Sequence, residues 1–567
     1  MSDDLNSPDY LHTVDDWVEY IQSLHAREIE LDLARTQQVY KRLAPDGLRA
    51  RIISVAGTNG KGSTSQILNH VYLQAGYSVG KYTSPHLLRF NERIQIGGKD
   101  VSDAQLLSAF RKIETVRGDI PLTFFEFGTL VAIELFRQVD VDVMIMEVGL
   151  GGRLDAVNIL DCDLAIITSI SIDHSAWLGN TVEQIAYEKS GISRSGKPVV
   201  IGETRHHSIV QAACVKRGAN CYRLGHDFVY QVNSWTKETD QSKSGLSSLN
   251  WDWQGTSIDK QGECLVDGLP LPYMQKGVQL NNASCALQAV TLLESYLPVL
   301  PQAMRQGVGS ARMSGRCQVV SLEPTVVLDV AHNEDSISVL NNFLKSLQVK
   351  GKVFGVCGML KDKEIGSSLT QIAGNIDVWH VGSIKGERGS SASEIAKIID
   401  GIYANGSYVA EGSYLAEGSC EAEGSYLAEG SCEAEGSYLA EGSCEAEGSC
   451  EAEGSYLAEG SCEAEGSYLA EGSCEAEGSY LAEGSYLAEG SCEAEGSYLA
   501  KGSSKKRSPD RGQAVSNMII GRSGCVQQYK SINSAYDAAL SASQKDDCIV
   551  VFGSFYVVAD ILARLSG

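Results

Sequence analysis

Two hydrophobic rhythms alternate along the chain. Short apolar runs at Arg51–Ala56 (RIISVA), 78–82, 141–148 (VDVMIMEV), 164–170 and Pro198–Ile201 read as strands, and the continuous ones have the pattern of strands buried on both faces in a parallel sheet. Between them apolar residues recur at three- and four-residue spacing, as in Trp17, Tyr20, Ile21 and Leu24, in Ile67, Leu68, Val71 and Tyr72, and across 124–136 and 182–190. That spacing predicts helices. Strand and helix in alternation predict a doubly wound α/β domain whose functional groups collect at the carboxyl ends of its strands. Residues 220–275 predict short strands with turns, and 281–296 a helix. A second α/β pattern begins at Arg316, with strands at 326–330, 353–357, 378–381 and 548–552 and helices at 336–347, 393–399, 534–541 and 557–565. The restart predicts a boundary near 300–315, with an N-terminal domain over 1–305 and a smaller C-terminal domain over 312–404 and 524–567.

The second domain is interrupted. Residues 411–500 are fifteen hexapeptides, each EGSYLA or EGSCEA, followed by a basic tail with Lys501, Lys505, Lys506 and Arg507. Each unit offers few apolar atoms, so 405–515 is expected to be a disordered insertion. The alternative is a thin β-solenoid. Loop-closure cost grows only logarithmically, so a folded domain tolerates such an expansion. The repeat changes the reading of charge: of the net −25, 22 negative charges are its glutamates, leaving −3 elsewhere. A nearly neutral body predicts no nucleic-acid surface. Seven of the 16 cysteines also belong to the repeat, and the rest lack CxxC spacing, which indicates neither a disulfide framework nor a thiolate metal site. A polar start and the lack of a membrane-length apolar run predict a cytoplasmic protein without a membrane partner, expected as a monomer.

The chemistry begins after the first strand, in Gly57-Thr58-Asn59-Gly60-Lys61-Gly62-Ser63. Glycines let backbone N–H groups converge on an anion, a helix start adds its positive dipole end, and Lys61 adds a point charge. The spacing differs from the Walker pattern, because Gly62 follows Lys61 and only three residues separate the first glycine from the lysine. A plain glycine-rich turn between strand and helix is the alternative. Gly57, Ser84, Glu147 and His174 are all read as lying at strand ends.

With these residues laid out, the chain resembles the folylpolyglutamate synthase and dihydrofolate synthase family of the Mur ligase superfamily. The supports are GTNGKG at 57–62, SPHL at 84–87 with NERI at 91–94, LTFFEFGT at 122–129, EVGLGGRLDA at 147–156, SIDH at 171–174, EKSGI at 188–192, QLNNA at 279–283, SGR at 314–316, DVAHN at 329–333, GMLKDK at 358–363 and FGSFYVVAD at 552–560. The resemblance implies an ATP-dependent carboxylate–amine ligase of folate biosynthesis, adding L-glutamate to 7,8-dihydropteroate and to tetrahydrofolate polyglutamates through an acyl phosphate. It implies that Thr58, Asn59, Gly60, Lys61, Gly62 and Ser63 bind ATP, together with Asn282, Arg316, Asp329 and His332. Arg316 would reach phosphate from the second domain, placing ATP between the domains.

Ser84, Glu147 and His174 would bind magnesium, with two metal sites and a monovalent cation expected. Oxygen ligands suit that hard ion. Lys61, His174 and Lys189 are the implied catalytic residues, Lys189 as a carbamate that turns a repelling cation into an anionic ligand. Ile29, Glu30, Leu31, Thr123, Phe124, Phe125, Glu126, Leu154 and Asp155 would form the pterin wall, with Glu126 accepting from ring N–H groups. Core packing is the alternative for one of the two phenylalanines. His70 and His86 have no such support and read as structural or surface groups. Val157, Ser314 and Glu334 depart from the family's Thr, Pro and Pro, and none removes a charged or ligating group. The competing readings are a single folate activity, an interaction protein acting through the acidic repeat, and an amino-sugar peptide ligase, the last disfavoured by SPHL and LTFFEFGT.

Overall fold

A computed structural model describes residues 11–27, 29–233, 250–257, 263–272, 278–386, 388–404, 410–411, 414–417, 420–501 and 525–566. The polar start at 1–10 and the basic tail at 502–515 lie outside the described residues. The chain divides into two units, Met1–Gln318 with Leu562–Gly567, and Val319–Ile561.

In the first unit the apolar runs form β1 (Arg51–Ala56), β2 (Val79–Tyr82), β3 (Ile94–Ile96), β4 (Lys99–Asp100), β5 (Val143–Glu147), β6 (Leu164–Ile167), β7 (Pro198–Ile201) and β8 (Asn220–Arg223). They make one sheet in the order β4-β3-β2-β5-β1-β6-β7-β8. The sheet is parallel from β2 to β8, and β3 and β4 add an antiparallel edge. Val55 pairs with Glu147 and Ala56 with Ile167, so the ends of β1, β5 and β6 stand side by side. That register brings the loops after these strands to one edge of the sheet.

Alternation along the strands splits the core into two layers. Ile52, Met144, Met146, Ala165 and Ile167 face one layer, where they meet α1 (Val14–Ser23), α2 (Ala34–Leu43) and, beyond β4, α4 (Asp103–Arg117) and α5 (Phe124–Val139). Ile53, Val55, Val143, Ile145 and Ile166 face the other, which contains α3 (Lys61–Gln74). The helices α6 (Ser175–Leu178), α7 (Val182–Lys189) and α8 (His207–Val215) follow β6 and β7. A small antiparallel sheet of β9 (Val229–Val232), β10 (Asn250–Thr256) and β11 (Glu263–Pro270) then leads to α9 (Val278–Leu292) and α10 (Pro301–Ser310). Trp251 and Trp253 of β10 and the buried residues of α9 and α10 complete the layer around α3.

The second unit holds β12 (Gln318–Leu322), β13 (Thr325–Leu328), α11 (Glu334–Ser346), β14 (Val353–Cys357), α12 (Ile365–Ala373), β15 (Val378–Gly382) and α13 (Ala392–Ala404). After α13 come the strands of the repeat, β16 (Ala410–Glu411), β17 (Tyr414–Glu417) and β18 (Cys420–Lys501), then β19 (Cys525–Tyr529), α14 (Ile532–Ala542), β20 (Cys548–Phe552) and α15 (Phe555–Ser566), whose residues from Leu562 onward belong to the first unit. Its main sheet runs β12-β13-β20-β14-β15-β19. The β13, β20, β14, β15 and β19 strands are parallel, so the chain on either side of the repeat builds one sheet.

The described backbone of the repeat is extended. It pairs in parallel with Ala410 against Ala428 and Tyr414 against Cys432, an offset of eighteen residues, or three hexapeptides. A backbone ladder between identical repeats supplies hydrogen bonds without a deep core.

Candidate active site

The phosphate-loop reading starts from backbone geometry. Gly57 has φ 152° and Gly60 φ 86°, and α3 begins at Lys61 with no side-chain cap. A Cβ on Gly60 would lie 2.4 Å from Asn282 Oδ1, and one on Gly62 would lie 2.5 Å from Met313 Cε. Glycine at these points therefore lets Asn282 and Met313 close on the loop. The first-turn amides of a helix have no intrahelical acceptor, so the start of α3 offers N–H donors to an anion.

Not every loop residue is free to do so. The Thr58 amide donates to Ser169 O (2.8 Å) and the Asn59 amide to Ser169 Oγ (2.9 Å). Thr58 Oγ1 also bonds Ser171, and Thr168 Oγ1 donates to Asn59 O (2.6 Å). Thr58 and Asn59 thus fasten the loop to the segment after β6, and the Gly60–Ser63 stretch is left as the anion-facing part. Thr168, Ser169 and Met313 were not legible as site residues, because small polar side chains after a strand carry no distinctive pattern.

Lys61 Nζ donates to Gly57 O (3.0 Å) and Thr58 O (3.2 Å). Burial holds its ammonium below the usual range, opposed by the nearby Glu147 carboxylate. Glu147 is 3% exposed and ends β5. Burial raises its carboxyl, with the Lys61 charge as the main opposing influence. The Ser84 amide donates to Glu147 Oε2 (3.3 Å), and the Ser84–Pro85 peptide is cis. Ser84, Glu147 and Lys61 therefore form a cluster at the ends of β2, β5 and β1.

His174 does not end a strand. It lies seven residues beyond Ile167, caps α6 with φ 53°, and its ring is 3.9 Å from Asp173. Asp173 acts electrostatically on both Lys61 and Lys189. Among the described residues no three His, Cys, Asp or Glu side chains converge as metal ligands. Lys189, at the end of α7, is 4% exposed, and burial pushes its ammonium down to about 7. The like charge of Lys61 adds to that shift.

Arg316 falls in the first unit by contact, and its charge acts on Lys61 and Glu147. By that division the segment after α10 is grouped with the first unit. Asp329 and His332 belong to the second unit, directly after β13. Asp329 Oδ1 accepts from the Ala331 amide (2.7 Å), and His332 Nδ1 bonds Val330 O (2.8 Å).

The pterin-wall residues come together through an arginine that sequence reasoning missed. Arg35 of α2 pairs with Glu30 Oε2 (3.1 Å) and donates to Glu30 O (3.1 Å) and Glu126 Oε2 (2.8 Å). It joins 29–31 to the start of α5. Glu126 was expected to face ring N–H groups. Its Oε1 accepts from Thr36 Oγ1 (2.8 Å) and its Oε2 also from the Thr123 amide (2.8 Å), so each oxygen already has protein partners. It is first an anchor. Asp155 is similar, with amides of Gly149, Leu150 and Val157 on its oxygens at 2.9–3.1 Å. It shapes the turn that carries Leu154. Phe124 and Phe125 are both partly buried: Phe124 stands edge-on to Phe90, and Phe125 packs at 5.8 Å from Tyr82.

Comparison with known proteins gives these sites a setting. The Mur ligase middle domain matches residues 55–263, and the Mur ligase glutamate ligase domain matches 315–420. A dihydrofolate synthase/folylpolyglutamate synthase of Escherichia coli (strain K12) is 40% identical over 379 residues, covering 67% of this chain and 84% of that protein. Among solved structures, E. coli FolC in complex with DHPP and ADP has a TM-score of 0.68 at 30% identity, covering 98% of each chain. A bifunctional folylpolyglutamate synthase/dihydrofolate synthase with Mn, AMPPNP and L-glutamate bound has a TM-score of 0.67 at 31% identity, again covering 98% of each. Extent and identity together leave one assignment: the chain belongs to the dihydrofolate synthase/folylpolyglutamate synthase family of Mur ligases.

Proposed function

We propose that this chain is an ATP-dependent ligase joining L-glutamate to the carboxylate of 7,8-dihydropteroate and to that of tetrahydrofolate and its polyglutamates. The observation that carries the reading is the cluster of Lys61, Ser84 and Glu147 beside the uncapped start of α3. The ligands named in the similar structures, ADP with DHPP and AMPPNP with manganese and L-glutamate, support the same substrates and a divalent ion.

A carboxylate is a poor electrophile, so the γ-phosphoryl group of ATP first passes to it, giving an acyl phosphate and ADP. The glutamate amine then attacks the acyl carbon, an amide bond forms, and phosphate leaves with the bond to oxygen. No protein nucleophile is required. The protein must meet phosphoryl charge and exclude water. The Gly60–Ser63 amides and Lys61 do the first, with Asn282 beside Gly60 and the Arg316 charge acting on Lys61; Asp329 and His332 are further nucleotide-binding residues in this proposal.

Glu147 fits a metal ligand: it is buried beside Lys61, accepts one long amide bond from Ser84, and retains lone pairs. Ser84, Glu147 and His174 would hold a magnesium ion, and Lys189 as a carbamate would hold a second; a monovalent cation belongs to the same proposal. Bound magnesium offsets phosphate charge. The acceptor ring lies against Ile29, Leu31, Phe124, Phe125 and Leu154.

The test is ADP release by purified protein with dihydropteroate or tetrahydrofolate, each with and without L-glutamate. Release that requires both acceptor and glutamate is expected. No release with either acceptor would sink the reading, and release with only one would narrow it to a single activity.

A further inference from the structure

Behind the phosphate loop lies a buried polar chain that the chemistry above does not use. Lys81 of β2 is 5% exposed and lies on the sheet face that α3 covers. Its Nζ donates to Gln66 Oε1. Gln66 Nε2 donates to Arg312 O (2.9 Å) and to His70 Nε2 (3.1 Å). His70 Nδ1 meets Ser310 Oγ (3.1 Å), which donates to Gly307 O (3.3 Å).

The polarity of this chain follows from its first member. An ammonium has donors and no acceptor, so only the oxygen of the Gln66 amide can face it. The Gln66 NH2 group must then point the other way, toward Arg312 O and an unprotonated His70 Nε2. That fixes the neutral Nδ1–H tautomer of His70, donating to Ser310. Burial lowers His70, followed by the charges of Lys81 and Arg312, which favours the neutral ring. Burial brings Lys81 to about 8, which leaves it mostly protonated at neutral pH.

We infer that Lys81 and Gln66 are positioning residues for nucleotide binding, holding the 312–316 segment against α3 so that Arg316 is presented to the phosphate loop. Three residues separate Arg312, whose carbonyl Gln66 holds, from Arg316, whose charge reaches Lys61 and Glu147. Met313, between them, packs over Gly62. This rests on the proposed ATP-dependent reaction, but it is tested by nucleotide affinity alone.

The experiment measures the Kd of a fluorescent ATP analogue for the full chain and for Gln66→Leu, Gln66→Glu and Lys81→Met, each with and without Arg316→Ala. Gln66→Glu keeps a partner for Lys81 yet cannot donate to Arg312 O, so it guards against a variant that fails only by misfolding. Loss of one buried hydrogen bond predicts about a tenfold weaker Kd for each single variant. In the Arg316→Ala background the further loss should fall below about twofold, because the effect is routed through that arginine. Lys81→Met with Gln66→Leu should bind no worse than Gln66→Leu alone. Unchanged affinity in folded Gln66→Glu, or effects that multiply undiminished with Arg316→Ala, overturns the inference. Lack of ADP release by a wild-type protein that binds nucleotide overturns the proposed reaction instead.

Discussion

Replacing Glu126 separates an anchor from a substrate contact. Its side chain is 4% exposed, that of Arg35 14%, and three donors at 2.8 Å hold its two oxygens. Glu126→Ala removes all three and leaves Arg35 with Glu30 alone. Breaking one side of a buried ion pair costs about 3–5 kcal/mol. Glu126→Gln keeps the shape and an acceptor oxygen, so its cost should be nearer 1–2 kcal/mol. For a domain of this size each kcal/mol moves Tm by roughly 2–4 °C, which predicts a fall of roughly 10 °C for the alanine variant and a few degrees for the glutamine. Arg35 also holds Glu30. The KM for dihydropteroate should therefore rise in step with the loss of stability, while the KM for ATP stays put. Differential scanning fluorimetry and steady-state ADP release measure both. If Glu126→Gln raises the acceptor KM at least tenfold without moving Tm, Glu126 touches the pterin directly and the anchor argument is wrong.

Three other outcomes can be checked. Lys189 near 7 is about half neutral at pH 7, against roughly one part in 3,000 for an ordinary lysine. The neutral amine adds CO2 and releases a proton, so 13C-bicarbonate should give a carbamate signal that Lys189→Ala lacks, and removing CO2 should slow turnover; turnover indifferent to CO2 together with no signal counts against it. His86 is held down to about 4 by burial and then by the Arg93 guanidinium, which donates to its Nδ1 at 2.7 Å. Its unfolded form takes up a proton near 6.5 while the folded form does not until about 4, so its contribution is whole above 6.5 and lost as pH falls through that window, about 2–3 kcal/mol in all. The urea midpoints of wild type and His86→Gln should differ more at pH 7 than at pH 4.5, and equal pH slopes in the two proteins would refute the assignment. Deleting 411–500 should leave kcat/KM within about twofold, since the described repeat strands pair with one another in a sheet separate from that of β12 to β20; a loss above tenfold would show that the repeat takes part.

The fold was legible where burial is complete. A strand covered on both faces is largely apolar, so β1, β7, β14 and β20 are visible as runs with the boundaries they have in the structure, even with Arg51 and Ser54 in β1. Elements with one buried stripe were harder. In α2, ARTQQVYKRL buries only Thr36, Val39 and Leu43, and a helix that shows the core three side chains leaves little periodicity to read. The antiparallel β3 and β4 edge is too short to carry a pattern. His174 was placed at a strand end because its strand looked longer; β6 stops at Ile167 and the chain loops on to a left-handed residue.

Site residues divide along the same line. Local chemistry could be read from spacing: a glycine-rich turn before a helix, or a carboxylate closing an apolar run. Long-range pairing could not. Arg35 and Glu126 are 91 residues apart, and Gln66 and Arg312 are 246 apart, so nothing near either member announces the other. Motif reading cannot see which polar groups are already bound within the protein. Glu126, Asp155, Thr58 and Asn59 are read as ligand contacts, and each spends hydrogen bonds on fixing backbone near the site. A buried polar group costs least when its partners come with the fold, so a site that must stay shaped before ATP arrives needs residues of this kind around the few, such as Lys61 and Glu147, that the proposed reaction assigns to phosphate and metal.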